Sequence, residues 1–465
     1  MVAMSTRTQE PSTGSHSAPI IVSVLARVPG SVRAEVCQLG SSRAVLVSCD
    51  RSDPAPPLSS DMTSVMLAGI QHAIGESLPF VLIVNSAGAD VHEGIAPLAG
   101  WGAVASQMTR ASGHIPLIAV VDGPAVSGPA LLLGLADIVI MTREAYAFVN
   151  GPMMVEQFTG IAIDKSELGS AAAMAGHAGV ASLIVDDRDD ALAAVDDVLA
   201  YLPSNADEAP PRQSRHDPAN RQCPELDTAL PDSPTGGYDI RTVAESIVDD
   251  GSMLELRSTW ATNVVTAFAT IDGRPIGIIA NQPISLAGTL DIPASQKAAR
   301  FVSLCDAFGL GILTLVDTPG FYPGKDLEWR GMIRHGAQLV YAYGQATVPR
   351  VCVVLRKSYG GAYIVMDSKT MGNDVCLAWP WAELAVMGAG QAAAILRRGA
   401  DDDETNAFVS DYTERLLNPY VAAERGLVDD VIEPADTRRR VAAAFDMLAS
   451  KRERLPRRRH GNGPL

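Results

Sequence analysis

Short unbroken hydrophobic runs alternate along the chain with longer stretches in which apolar residues recur at a helical spacing. The runs predict buried strands, because a strand of a parallel sheet is covered on both faces. They occupy residues 43–49, 80–86, 116–123, 138–142, 275–281, 311–317 and 350–356. Strands that alternate with helices predict right-handed crossovers and mostly parallel sheets, so the pattern predicts an α/β fold.

Two polar stretches interrupt this pattern and divide the chain. Residues 1–18 contain Ser, Thr, Pro and Gly without periodicity, which predicts a disordered N-terminal segment. Residues 206–237 are rich in Pro and charged residues, which predicts a linker. The remaining segments, 19–205 and 238–465, are each long enough for a domain with its own core.

The two halves share one layout, which indicates an internal duplication. Residues 116–142 read as an apolar strand, a turn of small residues, an apolar helix and a second strand. Residues 349–379 repeat this order. The turn of small residues therefore occurs twice, once in each predicted domain.

Charge and cysteine content exclude several classes of protein. The formal net charge of -16 argues against nucleic acid as a partner, because phosphate binding requires a basic surface. No hydrophobic run has membrane-spanning length, and the N-terminus has no signal-peptide core. The six cysteines include no C-x-x-C pair, so we expect no zinc ribbon, no other metal site and no disulfide framework. These features predict a cytoplasmic protein without membrane partners.

The turn Gly360-Gly361-Ala362 is the most informative candidate site. Glycine lets the backbone approach a ligand with no side chain in between. At the start of a helix, the successive N–H groups of such a turn stabilise a developing negative charge. A tight turn that serves only packing is the alternative that these residues leave open.

Longer segments around this turn resemble a known family. They read NQPISLAGTLDIPASQKAARFVSLCDAF (281–308), VDTPGFYPG (316–324), EWRGMIRHGAQLVYAYGQATVPR (328–350), AWPWAELAVMG (378–388) and NPYVAAERGLVDDVIEP (418–434). The series is similar to the carboxyltransferase (β) subunit of biotin-dependent acyl-CoA carboxylases. The resemblance covers residues 238–465 almost without a gap and extends more loosely over residues 80–210.

The resemblance implies two tandem crotonase-like domains, each a spiral of repeated β-β-α units. The domain at 19–205 would mainly bind coenzyme A, and the domain at 238–465 would receive biotin. The implied reaction transfers a carboxyl group from carboxybiotin to the α-carbon of acetyl-CoA or propionyl-CoA.

The resemblance also implies partners. Biotin would be carried by the α subunit, which contains the biotin carboxylase and the biotin carboxyl carrier, because this chain has no Met-Lys-Met attachment motif. Family members form homohexamers, as trimers of dimers, and each active site is shared between the two subunits of a dimer.

Carboxyl transfer requires one negative oxygen to be stabilised on the thioester and another on biotin, and backbone N–H groups suit both. The resemblance assigns the biotin-side oxyanion hole to Gly361 and Ala362, and that of the first domain to Ser127 and Gly128. The matching motifs add further substrate-binding residues: Ala87, Gly88, Gly320, Phe321, Tyr363 and Ile364.

Two departures bear on the substrate. Family members with Asp at the position of Ile364 are of the propionyl type, whereas Ile accompanies acetyl-CoA or a broader range. The family's Ser-Gly-Gly-Ala-Arg is here Ser86-Ala87-Gly88-Ala89-Asp90, so we expect weaker binding of coenzyme A.

Two alternative functions stay open: a decarboxylase of malonyl-CoA or methylmalonyl-CoA, and a non-catalytic structural subunit whose coenzyme A site has decayed.

Overall fold

The computed structural model describes residues 18–464. The predicted disorder of residues 1–18 therefore lies, except for its last residue, outside the described residues. The chain divides into two compact units, Met1–Glu208 and Ala209–Leu465, which we call unit 1 and unit 2. Each unit contains one eight-stranded sheet.

The strands of unit 1 are β1 (Ile20–Val28), β2 (Val32–Leu39), β3 (Ser42–Cys49), β4 (Phe80–Ser86), β5 (Leu117–Val126), β6 (Ile138–Thr142), β7 (Tyr146–Phe148) and β8 (Leu183–Val185). Their order in the sheet is β1-β2-β3-β4-β5-β6-β8, and β7 pairs with β5. The first three strands are antiparallel, and the other pairs are parallel. Every residue of β4 is buried, as its unbroken apolar run predicts.

The helices of unit 1 are α1 (Ser60–Glu76), α2 (Ala96–Ala111), α3 (Gly128–Leu133), α4 (Pro152–Thr159), α5 (Lys165–Gly169), α6 (Ala171–Gly176) and α7 (Arg188–Leu199). A short 3-10 helix spans Val91–Glu93. The longest helix, α1, begins where the Ser59 hydroxyl accepts a hydrogen bond from the Met62 N–H at 3.2 Å.

The strands of unit 2 are β9 (Leu254–Leu256), β10 (Val264–Ile271), β11 (Arg274–Asn281), β12 (Gly311–Thr318), β13 (Arg350–Tyr359), β14 (Val375–Ala378), β15 (Glu383–Ala385) and β16 (Asp430–Val431). Their order is β16-β14-β13-β12-β11-β10-β9, and β15 pairs with β13. The strands β9, β10 and β11 pair in an antiparallel manner, and the other pairs are parallel, as in unit 1.

The helices of unit 2 are α8 (Ile240–Ile247), α9 (Ile292–Ala307), α10 (Lys325–Trp329), α11 (Met332–Gln345), α12 (Gly360–Val365), α13 (Ala389–Leu396), α14 (Asp402–Tyr412), α15 (Pro419–Glu424) and α16 (Thr437–Met447). Short 3-10 helices span Pro224–Thr228, Lys369–Met371 and Pro434–Asp436, and a π-helical turn spans Thr413–Leu417. Leu286–Gly288 form a left-handed turn in which the three φ angles are 48, 52 and 71°.

The sheets confirm both the seven predicted strands and the internal duplication. The predicted runs correspond to β3, β4, β5 and β6 in unit 1 and to β11, β12 and β13 in unit 2. The two strand orders are the same when β1–β8 are matched with β9–β16. The duplication therefore extends over the whole sheet of each unit.

The stretch that we predict as a linker is largely exposed, and two of its side chains are packed into unit 2. The Cys223 and Leu226 side chains are fully buried in the core of that unit. The Cys223 N–H donates to the Ala435 carbonyl at 2.8 Å, which connects this stretch to the 3-10 helix Pro434–Asp436. All six cysteines of the protein are free and buried.

Candidate active site

The turns that join β5 to α3 and β13 to α12 occupy the same place in the two units. In unit 1 the register shifts after Val84, and Ser86 pairs with Ala125. In unit 2 it shifts after Val316, and Thr318 pairs with Ser358. Counting onward from these pairs matches Ser127–Gly128–Pro129 with Gly360–Gly361–Ala362.

The unit 2 turn presents two backbone N–H groups at the start of a helix. Gly360 has a φ of 60°, which glycine adopts without strain. Gly361 and Ala362 follow as the second and third residues of α12, and Ala362 is fully buried. N–H groups in the first turn of a helix have no acceptor within the helix, so these two are placed to donate to a ligand oxygen.

The Phe321 ring lies beside this turn. A Cβ added to Gly361 would be 3.3 Å from the ring, and one added to Gly336 would be 3.4 Å from it. Gly320, with a φ of 139°, accepts from the Leu290 N–H at 3.1 Å. The structure thus brings the predicted residues Gly320, Phe321 and Gly361 together.

Ile364 and Tyr363 face different surroundings. Ile364 is 36% exposed, so its side chain reaches the surface beside the turn. The Tyr363 hydroxyl is buried and has no hydrogen-bond partner among residues 18–464. Burial and the neighbouring thiols of Cys376 and Cys352 raise the pKa of Tyr363 to about 12. Of these two residues, Ile364 has the more accessible side chain.

A buried ionic cluster under the unit 2 turn was missed in the sequence. The Asp317 carboxylate accepts from Tyr238 Oη at 2.9 Å and from Arg356 Nε at 3.0 Å. Arg356 Nη1 also donates to the Gly236 carbonyl at 2.9 Å. Burial raises the pKa of the Asp317 carboxyl, and the Arg356 guanidinium opposes this effect. A basic residue just before a glycine turn was the only local signal of this cluster.

In unit 1 the residues that follow β4, the strand next to β5, are held by similar contacts. The Leu58 N–H donates to the Gly88 carbonyl at 2.6 Å, and the Ala87 N–H donates to the Pro56 carbonyl at 3.1 Å. Gly88 has a φ of 107°. The parallel bridge from Leu58 to Ala89 corresponds to the bridge from Leu290 to Phe321 in unit 2.

The unit 1 turn offers fewer donors than its counterpart. The Ser127 N–H already donates to the Phe148 carbonyl at 3.0 Å. Pro129, which corresponds to Ala362, has no N–H at all. The Gly128 N–H is the group of this turn that corresponds to a unit 2 donor. Ser127 stays a prediction as an oxyanion donor, and its engaged N–H does not support it.

Two further residues distinguish the unit 1 site. The Trp101 indole covers Gly128, since a Cβ on that glycine would be 2.6 Å from Trp101 Nε1. Asp90 stands at the start of the 3-10 helix Val91–Glu93, where its carboxylate accepts from the His92 N–H at 2.9 Å. The acidic residue therefore has a local capping role.

Comparison with known proteins identifies the family. A model of the carboxyl transferase domain matches residues 39–463 of this chain. The chain belongs to the carboxyl transferase family. This result confirms the resemblance, which rested on the motifs of residues 281–434.

The relatives of this carboxyl transferase include several kinds of subunit. The chain is 43% identical over 396 residues to the propionyl-CoA carboxylase beta chain of Roseobacter denitrificans, covering 84% of this chain and 78% of that protein. It is 42% identical over 407 residues to methylmalonyl-CoA decarboxylase subunit alpha of Veillonella parvula, covering 87% of this chain and 80% of that protein.

A solved structure confirms the fold. The crystal structure of the transcarboxylase 12S hexamer, with methylmalonyl-CoA and methylmalonic acid bound, superimposes with a TM-score of 0.91 at 39% identity. The match covers 95% of this chain and 86% of that one. The predicted α/β fold with two tandem crotonase-like domains is confirmed.

Two further observations complete the description of this family member. Within residues 18–464 no helix is long and apolar enough to cross a membrane. Over the same part of the chain, no three His, Cys, Asp or Glu side chains form a group that could hold a metal ion.

Proposed function

We propose that the protein is the carboxyltransferase subunit of a biotin-dependent acyl-CoA carboxylase. It would transfer a carboxyl group to the α-carbon of acetyl-CoA or propionyl-CoA. The observation that carries this proposal is the pair of equivalent strand-to-helix turns, one in each unit, in a member of the carboxyl transferase family.

The unit 2 turn suits a biotin ureido oxygen. Gly361 has no side chain to obstruct an approaching ring, and the N–H groups of Gly361 and Ala362 donate toward the same place at the start of α12. Ile364 adds an apolar surface beside them. Carboxybiotin, when bound, supplies the carboxyl group, and these donors stabilise the negative charge that develops on the ureido oxygen.

The unit 1 turn suits the thioester oxygen of the acyl-CoA. The Gly128 N–H stands at the start of α3, and Ala87 and Gly88 lie at the end of the neighbouring strand. A fixed N–H donor stabilises an enolate oxygen without giving up a proton. We therefore keep Gly128, Ala87 and Gly88 as proposed residues of the coenzyme A side.

The proposed partner is an α subunit that contains a biotin carboxylase and a biotinylated carrier. The proposed assembly is a homohexamer of three dimers. Exposed apolar side chains in each unit support such contacts: Phe158 is 83% exposed in unit 1, and Ile333 and Val386 are 83% and 76% exposed in unit 2. Because none of its six thiols is paired, we propose a reducing cytoplasm as the compartment.

The test is a reconstituted carboxylation assay. The protein is mixed with a biotinylated α subunit, ATP and labelled bicarbonate, and label in the product is measured over a panel of acyl-CoA thioesters. We expect labelled malonyl-CoA and methylmalonyl-CoA to form. No product from any thioester, with an α subunit that is active on its own, would contradict the proposal.

The two alternatives are not favoured. A decarboxylase would release label from carboxylated thioesters in the absence of ATP, so the same assay run in reverse separates it. A non-catalytic subunit would fail to bind coenzyme A, which calorimetry measures. We expect binding that is weaker than in relatives, because Asp90 adds negative charge near the anionic ligand.

A further inference from the structure

Lys297 is a buried cation whose hydrogen bonds go to backbone carbonyls. It lies in α9 and is 2% exposed. Its Nζ donates to the carbonyls of Arg257 at 2.9 Å, Trp260 at 2.9 Å, Ala261 at 3.4 Å and Val264 at 2.7 Å. An ammonium group has three N–H donors and no acceptor, so a ring of carbonyl oxygens is the environment that satisfies it.

Three of these carbonyls belong to the loop that joins β9 to β10, and the fourth, that of Val264, belongs to the first residue of β10. In this loop, residues 257–263, both Arg257 and Ala261 have positive φ angles, of 55° and 46°. Residues other than glycine keep such angles only where their surroundings hold them. Lys297 supplies that restraint, because its Nζ reaches the carbonyls of both strained residues.

Unit 1 has neither the loop nor the lysine. Its β1 and β2 are joined by a short turn at residues 29–31. Val65 stands six residues after the Ser59 cap of α1, as Lys297 stands six residues after the Asp291 cap of α9. The lysine therefore goes together with a loop that only unit 2 has.

The loop holds the segment 282–291 through four hydrogen bonds, one of which runs from Asn263 Nδ2 to Asp291 Oδ1 at 3.2 Å. Thr262 Oγ1 lies 2.7 Å from Ser285 Oγ. Asn263 Nδ2 donates to the Thr289 carbonyl at 2.7 Å, and the Gln282 N–H donates to the Asn263 carbonyl at 2.9 Å. These contacts connect the loop to the chain on both sides of the left-handed turn Leu286–Gly288.

The segment 282–291 in turn contacts residues 320–322, which lie beside the unit 2 turn. Leu290 exchanges backbone hydrogen bonds with Gly320 at 3.1 Å and with Tyr322 at 2.9 Å. Phe321 lies between these two residues, and its ring covers Gly361. A continuous set of contacts therefore joins Lys297 Nζ to the proposed biotin-side donors.

We propose that Lys297 is a positioning residue for carboxyl transfer, which fixes the loop 257–263 and, through the segment 282–291, the place of Phe321 beside Gly361. The proposal rests on the proposed function, in which Gly361 and Ala362 are the biotin-side donors. Lys297 does not touch the substrate, so its effect should fall on turnover and not on the binding of acyl-CoA.

Lys297→Met tests this in the full protein reconstituted with its α subunit. The substitution keeps the length and apolar stem of the side chain and removes the charge and all three donors. We expect kcat to fall about tenfold, which corresponds to about 1.4 kcal/mol in the transition state, with KM for acyl-CoA changed less than about twofold. Hydrogen exchange of the Leu290 and Tyr322 amides should accelerate in the variant.

Lys451→Met is the matched control. Lys451 also donates to a backbone carbonyl, that of Val348 at 3.1 Å, and to Asp374 at 2.9 Å. It makes no recorded contact with the segment 282–291 among the described residues. We expect kcat and the exchange of the Leu290 and Tyr322 amides to stay as in the wild type.

Thr262→Val provides a second variant in case Lys297→Met does not fold. It keeps the lysine and removes the exposed hydrogen bond to Ser285, so a smaller loss of kcat with unchanged KM is expected.

Two results would overturn the proposal. One is unchanged hydrogen exchange of the Leu290 and Tyr322 amides in folded Lys297→Met, and the other is faster exchange with wild-type kcat. An inactive wild type would overturn the proposed function alone, because the exchange data would still show whether Lys297 holds the segment.

Discussion

Units 1 and 2 share the same backbone arrangement, but their strand-to-helix turns present different numbers of hydrogen-bond donors. In unit 2 the turn carries N–H groups on Gly361 and Ala362 at the start of α12. In unit 1 the N–H of Ser127 is engaged by Phe148, and Pro129 has none. The duplicated frame thus determines where donors stand, whereas the residues in the turn decide how many there are.

The aromatic ring beside the turn shows the same principle. In unit 2 it is Phe321, which follows β12, and it covers Gly361. In unit 1 the corresponding residue is Ala89, and the indole of Trp101 from α2 covers Gly128 instead. Both units cover the glycine, but they do so from different elements, so the surroundings of the two ligands can differ while the sheets stay alike.

Ala362→Pro is expected to have the largest effect, because it gives unit 2 the residue that unit 1 has. The backbone should accept the change, since Pro129 occupies the equivalent place in unit 1. Loss of one oxyanion donor costs on the order of a hundredfold in kcat. Steady-state carboxylation measures it, with Pro129→Ala as the reciprocal variant. A folded Ala362→Pro enzyme with wild-type turnover would show that this N–H is not a donor.

Because of buried Lys297 in unit 2, we expect the free energy of unfolding to depend on pH. Burial lowers the pKa of Lys297 to about 7 from 10.5; Arg241 and Arg257 lower it further, and Glu255 opposes this effect. Between these values the unfolded chain binds more protons than the folded one, so the stability of the wild type rises with pH. Relative to Lys297→Met, the free energy of unfolding should rise by about 2 kcal/mol from pH 7 to pH 9. Urea unfolding at several pH values measures this, and parallel pH profiles of the two proteins would contradict it.

Ile364→Asp should change the choice between acetyl-CoA and propionyl-CoA. The wild type, with an apolar and partly exposed Ile364, should accept both, because one methylene in an apolar pocket is worth only about 1–3 kcal/mol. The ratio of kcat/KM for the two thioesters is the measurement, and Ile364→Leu is the control that keeps the site apolar. A wild-type preference of several thousandfold, or an unchanged ratio in an active Ile364→Asp enzyme, would refute the assignment.

Ser127→Gly is expected to have the smallest effect and to act on stability alone. Ser127 has φ 64° and ψ -120°, a conformation that glycine adopts without strain and serine does not. We expect the glycine variant to be more stable by about 1 kcal/mol. Thermal unfolding measures the change, and Gly360→Ser in unit 2 should give the opposite sign. Equal stability of Ser127→Gly and the wild type would mean that the serine is not strained.

The strands and the glycine turn could be predicted because their signals are local. An unbroken apolar run identifies β4 or β12, and a glycine pair after such a run identifies the turn at Gly360. The residues that surround the turn carry no such signal. Asp317 meets Tyr238 and Arg356 from 79 and 39 residues away, and no spacing in the sequence connects the three.

Tertiary burial also explains why the predicted linker looks polar in the sequence although two of its side chains lie in the core of unit 2. Composition averages over residues 206–237, where Pro and charged residues dominate. Cys223 and Leu226 are isolated apolar residues in that stretch, yet both are fully buried in unit 2. Likewise, nothing local marks Lys297 as a buried cation, because its partners are backbone carbonyls and therefore independent of side-chain identity.

The buried thiols make the protein suited to site-specific labelling. All six cysteines are free and buried, and burial raises the pKa of Cys37 and Cys49 to about 11. Maleimides react with an accessible thiolate, which a buried and protonated cysteine does not supply. A cysteine introduced at exposed Lys325, four residues after Phe321, would thus carry a fluorophore close to the biotin-side turn without prior removal of the native cysteines.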